Sequence, residues 1–194
     1  MFYHTTRKER LDDRNKLFVS SGIPALQKKG FNKSPFSVFV NGRDHLKNFS
    51  YTLCRISKDS LLEFLTVYIA RGDRRLKIEL NIFQLSPVIQ SIDQLQGLEG
   101  LQFCLPPNSC SKMQLRQDDY KFIPFYTVLF AKQYRIRRYL TKWGYKRRLR
   151  SLEKMIKSDM TNIDCSVIRW HELHQPMSVT WEGHAVETST TSHF

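Results

Sequence analysis

The chain has 194 residues, 41 % of them hydrophobic and thirteen of them Phe, which is enough apolar material for one ordinary domain and too much for a disordered chain. Its formal net charge of +13 bears on partners and solubility and not on fold. Four cysteines (Cys54, Cys104, Cys110, Cys165), an opening stretch without an apolar leader, and a longest nearly apolar run, residues 122–131, of about half the length that crosses a bilayer together predict a cytoplasmic protein in a reducing compartment.

Residues 5–29 predict a helix with a polar first half and an apolar cluster of Leu17, Phe18, Val19, Ile23 and Leu26. Lys28-Lys29-Gly30 is a stop signal, with cations in the last turn and glycine for the left-handed position that follows it. Gly22 and Pro24 mark a bend or split, and Pro24 suits the first turn of a second short helix. From Phe36 the apolar period falls from about 3.6 to about 2, and four strands are predicted, at 36–40, 49–56, 61–70 and 75–85. In the fourth, Leu76, Ile78, Leu80 and Ile82 make a dry face and Lys77, Glu79 and Asn81 a wet one, the pattern of an antiparallel sheet open to water on one side. Short links predict a meander, with the N-terminal helix over its dry face. Residues 86–121 read as irregular, with a short helix at 88–95 and loops around Gly97, Gly100 and 105–109.

Residues 124–158 predict helix again. Ile136, Leu140 and Trp143 form one apolar stripe; Tyr145, Leu149, Leu152 and Ile156 form a second. The two-residue step from Trp143 to Tyr145, about 200° around a helix, sets the stripes on opposite sides, so a break or kink is expected at Gly144. Residues 159–194 are weakly patterned, with short strands at 166–170 and 178–181 and a disordered end over 188–194. The fold class is therefore α+β: an N-terminal helix on a four-stranded antiparallel meander, with a basic helical C-terminal portion broken or kinked at Gly144. One domain is expected, organised as a core (1–121), a basic helical segment (122–158) and an acidic extension (159–194).

The charge is concentrated. Residues 132–157 carry eleven basic residues against the single acid Glu153, and residues 158–194 carry one basic residue against five acids. Arg135, Arg137, Arg138, Lys142, Lys146, Arg147, Arg148, Arg150, Lys154 and Lys157 alternate with Tyr134, Tyr139, Trp143 and Tyr145. Cations reach along a phosphate backbone, and aromatic rings offer platforms for unstacked bases. An ordinary solvated helix face would intersperse acids at i, i+4 positions, which this block does not do. The expected partner is nucleic acid, held through phosphates with low sequence specificity. An acidic protein is the alternative, and the chain's own acids (Asp159, Asp164, Glu172, Glu182, Glu187) could fold back to mask the block. The apolar run followed by cations would also suit an anionic membrane surface.

No catalytic or cofactor signature accompanies the block. Trp170-His171-Glu172-Leu173-His174 sets its histidines at i, i+3, whereas a zincin helix needs i, i+4. Cys104 and Cys110 lack a zinc-knuckle spacing. One enzyme-like constellation survives, Glu63, Asp73, Lys77 and Glu79 on neighbouring strands, as a metal-dependent nuclease would need. Its Lys-x-Glu order reverses the usual Glu-x-Lys, and a cross-strand ion pair is the commoner meaning.

Overall fold

A computed structural model describes residues 3–39, 41–57, 59–118, 132–137 and 139–186. The apolar run at 122–131, Val40, Arg138 and the end expected to be disordered at 188–194 lie outside the described residues.

Helix α1 (Arg7–Leu17) begins at a capping box. Thr6 Oγ1 accepts from the Glu9 amide at 3.1 Å, and Glu9 Oε2 accepts from the Thr6 amide at 2.6 Å. The helix then widens into a π turn over Phe18–Gly22 and resumes as α2 (Ile23–Gln27). The wide turn lies just ahead of Pro24, whose ring and missing N–H cannot be fitted into an uninterrupted α-helical ladder. The stop at Gly30 is as expected. Gly30 has φ +85°, its amide donates to Gln27 O, and the Phe31 amide donates back to Leu26 O, which brings the buried side chains of Leu26 and Phe31 together.

The sheet centres on the meander β3 (Phe49–Ile56), β4 (Leu61–Ile69) and β5 (Lys77–Leu85). Short strands line its edges. β1 (Asn32–Lys33) and β2 (Gly42–Arg43) pair with opposite ends of β3; β6 (Met113–Gln114) and β7 (Met177–Val179) pair with β5, and β7 does so in parallel. An isolated bridge, Arg75 to Arg135, continues that edge. Fragmented edges of this kind leave no long row of unpaired backbone.

Of the first expected strand, 36–40, the described residues 36–39 are not in a strand. The Ser37 and Val38 amides donate to Leu98 O and Glu99 O, and Phe36 turns under the sheet. There it joins Phe64, Phe83 and Phe103 in an aromatic cluster, with Phe36 and Phe103 centroids 4.9 Å apart and Phe64 stacked on Phe103 at 5.8 Å. This second core also corrects the expectation of one wet face. Lys77 and Glu79 keep partial access to water, but Asn81, Phe83 and Leu85 on the same side are buried. Asn81 Nδ2 donates to Asn108 O at 2.8 Å and Asn81 Oδ1 accepts from Ser111 Oγ at 3.0 Å, so the buried amide is paired.

The other face packs against the helices. Leu53, Leu65, Val67, Ile78, Leu80 and Ile82 meet α1, α2, α3 (Lys142–Thr161) and α4 (Ile163–Leu173) in one continuous core. Residues 166–170, expected to be extended, lie within α4. Ile163 and Trp170 are fully buried with Val167 packed between them in sequence, a 4 and 3 spacing that outweighs the β-branched content. The Trp170 indole N–H donates to Ser111 O at 2.8 Å.

The expected kink at Gly144 is absent. Helix α3 starts two residues earlier, capped by Thr141 Oγ1 accepting from the Gly144 amide at 3.1 Å, and runs on to Thr161. The apparent change of phase arises because the first stripe does not belong to one helix: Ile136 and Leu140 precede α3, and Trp143 lies in its first turn. Ile136 is buried in the strip that bridges β5, while Leu140 and Trp143 are 72 % and 66 % exposed.

Candidate nucleic-acid interface

Helix α3 buries Tyr145, Leu152, Met155, Ile156 and Met160. At about 100° per residue, the exposed residues Lys142, Lys146, Arg147, Arg150, Lys154 and Lys157 fall within an arc of about 140° on its outer side. They form one ridge along a single helix, about 22 Å long at ~1.5 Å per residue, undivided by the break or kink expected at Gly144. Among the described residues, none of the six belongs to an ion pair. Arg147 lies over the Trp143 ring at 5.3 Å, so the exposed indole and the ridge share one surface.

The remaining block residues divide. Arg137 is exposed, and Arg138 lies outside the described residues. Arg148 faces inward: its Nε donates to Arg135 O at 3.0 Å and an Nη to Gln133 O at 3.2 Å, pinning the 133–135 strip to α3. Arg135 sits on that strip, its Nε buried without a hydrogen-bond partner among the described residues. Tyr145 was expected to offer a face to bases, and it is buried instead; its hydroxyl donates to Asp13 Oδ2 at 2.5 Å, tying α3 to α1. Burial, then the Asp13 carboxylate, pushes its phenol well above the ordinary range. Tyr139 is half-buried, edge-on to Tyr145 at 6.1 Å. The aromatic available for stacking is Trp143.

Among the described residues, the acids that follow the block are engaged elsewhere. Asp159 pairs with Arg116 and accepts from the Tyr134 hydroxyl at 2.5 Å. Asp164 accepts from Lys29 and from Arg55, both at 2.7 Å. Glu172 pairs with Arg169 on its own helix, and Glu182 lies beside His184. Glu187 is outside the described residues. Within the block, Glu153 turns toward α1 and its neighbours, accepting from Ser21 Oγ at 3.0 Å.

The proposed nuclease carboxylates do not converge. Glu63 faces Ile82 across the β4–β5 ladder, on the helix side, whereas Glu79 faces Thr66 and alternates onto the other side. Glu63 is 3 % exposed and bound to Arg55, with Nε at 2.9 Å. Burial raises its carboxyl above the usual range despite the pull of Arg55. Asp164, at the rim of the same network, is lowered, first by Lys29 and then by Arg55. The four charges Lys29, Arg55, Glu63 and Asp164 line an open groove of about 810 Å³ and neutralise one another there. Among the described residues there is no group of three or more His, Cys, Asp or Glu placed to hold a metal ion, and no helix is long and apolar enough to cross a membrane. His171 and His174 flank the Trp170 ring, each at 5.3 Å.

No family model, curated protein or solved structure matches this chain. The ridge on α3 and its surroundings therefore stand as the basis for a functional reading.

Proposed function

We propose that the protein binds nucleic acid, without catalysis, by laying the α3 ridge along a phosphate backbone. The observation that carries this reading is the row of six exposed cations with no carboxylate partner among the described residues. Like charges at i, i+4, as at Lys142, Lys146, Arg150 and Lys154, destabilise a helix by about 0.2–0.5 kcal/mol per pair. A polyanion offsets that repulsion. Lysine and arginine heads on a helix surface contact phosphates without reading bases, so affinity is broad in sequence and falls with salt. Trp143 adds one stacking platform and favours unpaired strands at that point. A cytoplasmic, reducing setting accords with four free cysteines.

Purification at low salt tests the reading. Nucleic acid should accompany the protein, seen as excess absorbance at the nucleotide band, and should leave in a high-salt wash. The purified protein should then bind labelled single strands and duplexes. An acidic protein that stays bound after nuclease treatment, with no affinity for oligonucleotides, would replace nucleic acid by the protein-partner reading.

A further inference from the structure

A second concentration of positive charge lies away from the ridge. Arg14 of α1 is 1 % exposed, and among the described residues it is in no ion pair. Its guanidinium donates to Arg10 O at 3.0 Å, Arg75 O at 2.7 Å and Ala70 O at 3.1 Å. Those bonds clamp α1 onto the β4–β5 connection, but carbonyl dipoles leave the full charge in place. Burial accordingly lowers its hold on the proton, against the opposing pull of Asp73.

Beside Arg14 opens a cavity of about 140 Å³ lined by Arg7, Arg10, Arg14, Arg71, Arg74 and Asp73. Five arginines and one carboxylate thus line it; Arg10 is held by Thr5, its Nη1 donating to Thr5 Oγ1 at 3.1 Å, and Asp73 Oδ1 already accepts from the Arg75 amide at 3.0 Å. Arg7, Arg71 and Arg74 are exposed and belong to no ion pair among the described residues. Arg7 and Arg10 occupy the first turn of α1, where the helix dipole already disfavours cations. Ile136 closes another wall, and next to it Arg135 is lowered by burial and then by repulsion from Arg137, Arg75 and Arg74. The fold has brought arginines from α1 and from the β4–β5 connection to one cavity, and among the described residues a single carboxylate, Asp73, lines it with them.

We propose that this cavity is a phosphate-binding site that takes one phosphate group, free or carried on a nucleic acid. Planar guanidinium forks match phosphate oxygens in pairs, and a doubly charged anion suits several arginines better than a single carboxylate does. The volume fits one such group: a cavity of ~150 Å³ accommodates a benzene-sized molecule, which leaves no room for a nucleoside. The site does not rest on the reading of α3, because none of its residues lies on that helix.

Inorganic phosphate is the probe. Titrated at constant ionic strength, with chloride as the balancing salt, it should raise the melting temperature saturably and broaden the phosphorus resonance. The R71Q/R74Q variant should weaken that binding by about tenfold or more, the loss expected when charge-assisted bonds are removed; K146Q/R150Q/K154Q should leave it intact. R7Q provides the same comparison from α1 should the double change disturb the connection. An end-phosphorylated oligonucleotide that binds more tightly than its unphosphorylated twin, with the difference abolished in R71Q/R74Q, identifies nucleic acid as the source. Equal oligonucleotide affinities with phosphate binding retained identify the free anion. A response no greater than that to chloride, or one unchanged in folded R71Q/R74Q and R7Q, overturns the site.

Discussion

Replacing Lys146, Arg150 and Lys154 with glutamine removes half of the α3 ridge while leaving its buried face untouched. Each phosphate neutralised contributes about −0.9 to the slope of log affinity against log salt on duplex DNA and about −0.7 on single strands. Six ridge cations therefore give slopes of about −5 and −4, and the variant should give slopes shallower by about 3 and 2 units. Between about 50 and 200 mM salt the parent should lose on the order of a thousandfold in duplex affinity, and the variant only a few tens of fold. Fluorescence anisotropy of a labelled oligonucleotide across that range measures both slopes. Glutamine is nearly as good a helix former as lysine or arginine, and the change relieves like-charge pairs, so the melting temperature should hold or rise slightly. Arg148→Gln is the contrasting control: it frees two backbone carbonyls of the 133–135 strip and should cost about 2 kcal/mol of stability with little change in slope. Parallel salt plots for parent and triple variant would refute the ridge as the phosphate surface.

Three further outcomes follow from the packing. Arg55→Met strands the buried Glu63 carboxylate and should cost about 3–5 kcal/mol at neutral pH; because burial already raises the Glu63 carboxyl and the variant loses the group that lowers it, stability should be regained as pH falls and Glu63 takes up its proton, and an equal loss at all pH in denaturant melts would sink the idea. Burial pushes the Cys54 thiol up to about 12, so alkylation of native protein followed by mass spectrometry should label the exposed Cys110 and Cys165 first and Cys54 only on unfolding, an order that uniform labelling would contradict. Gly100 has φ +75° and a Cβ there would sit 2.4 Å from Phe36 Cγ, so Gly100→Ala combines left-handed strain with overpacking of the aromatic cluster and should cost about 3 kcal/mol, whereas a loss under about 1 kcal/mol would show that the second core yields easily.

The elements legible in the sequence are those whose patterns are set locally. β3, β4 and β5 begin and end within two residues of expectation, because alternation in a half-dry strand repeats every second residue. The stop at Gly30 is equally local. Residues 36–40 also alternate, but Ser37 and Val38 bond to the 98–99 loop some sixty residues away, and Phe36 packs on Phe64 and Phe103. No short window carries that information. The start of α3 was obscured differently. Ile136 is buried by an edge bridge and Trp143 is hardly buried, so counting both as one helical stripe combined unlike environments. Thr141, three residues before Gly144, was the available signal for a helix start.

The candidate site shows the same division, and the division bears on what the charge is for. A run of lysines and arginines is visible at once, yet which of them are free depends on where the acids go. Asp159 and Asp164, nearest in sequence to the block, are drawn inward to Arg116 and Arg55, where they tie α3 and α4 to the rest of the fold. The one acid inside the block, Glu153, is satisfied by Ser21. Arginines that reach such partners or backbone carbonyls (Arg14, Arg55, Arg116, Arg148) serve the architecture. Among the described residues, the exposed cations that belong to no ion pair include the six of the α3 ridge and, beside the Arg14 cavity, Arg7, Arg71 and Arg74. If the excess charge served only solubility, dispersing it would give the same benefit with less repulsion. Two separate concentrations, one linear and one concave, are what phosphate groups in a chain and a phosphate group by itself would each complement.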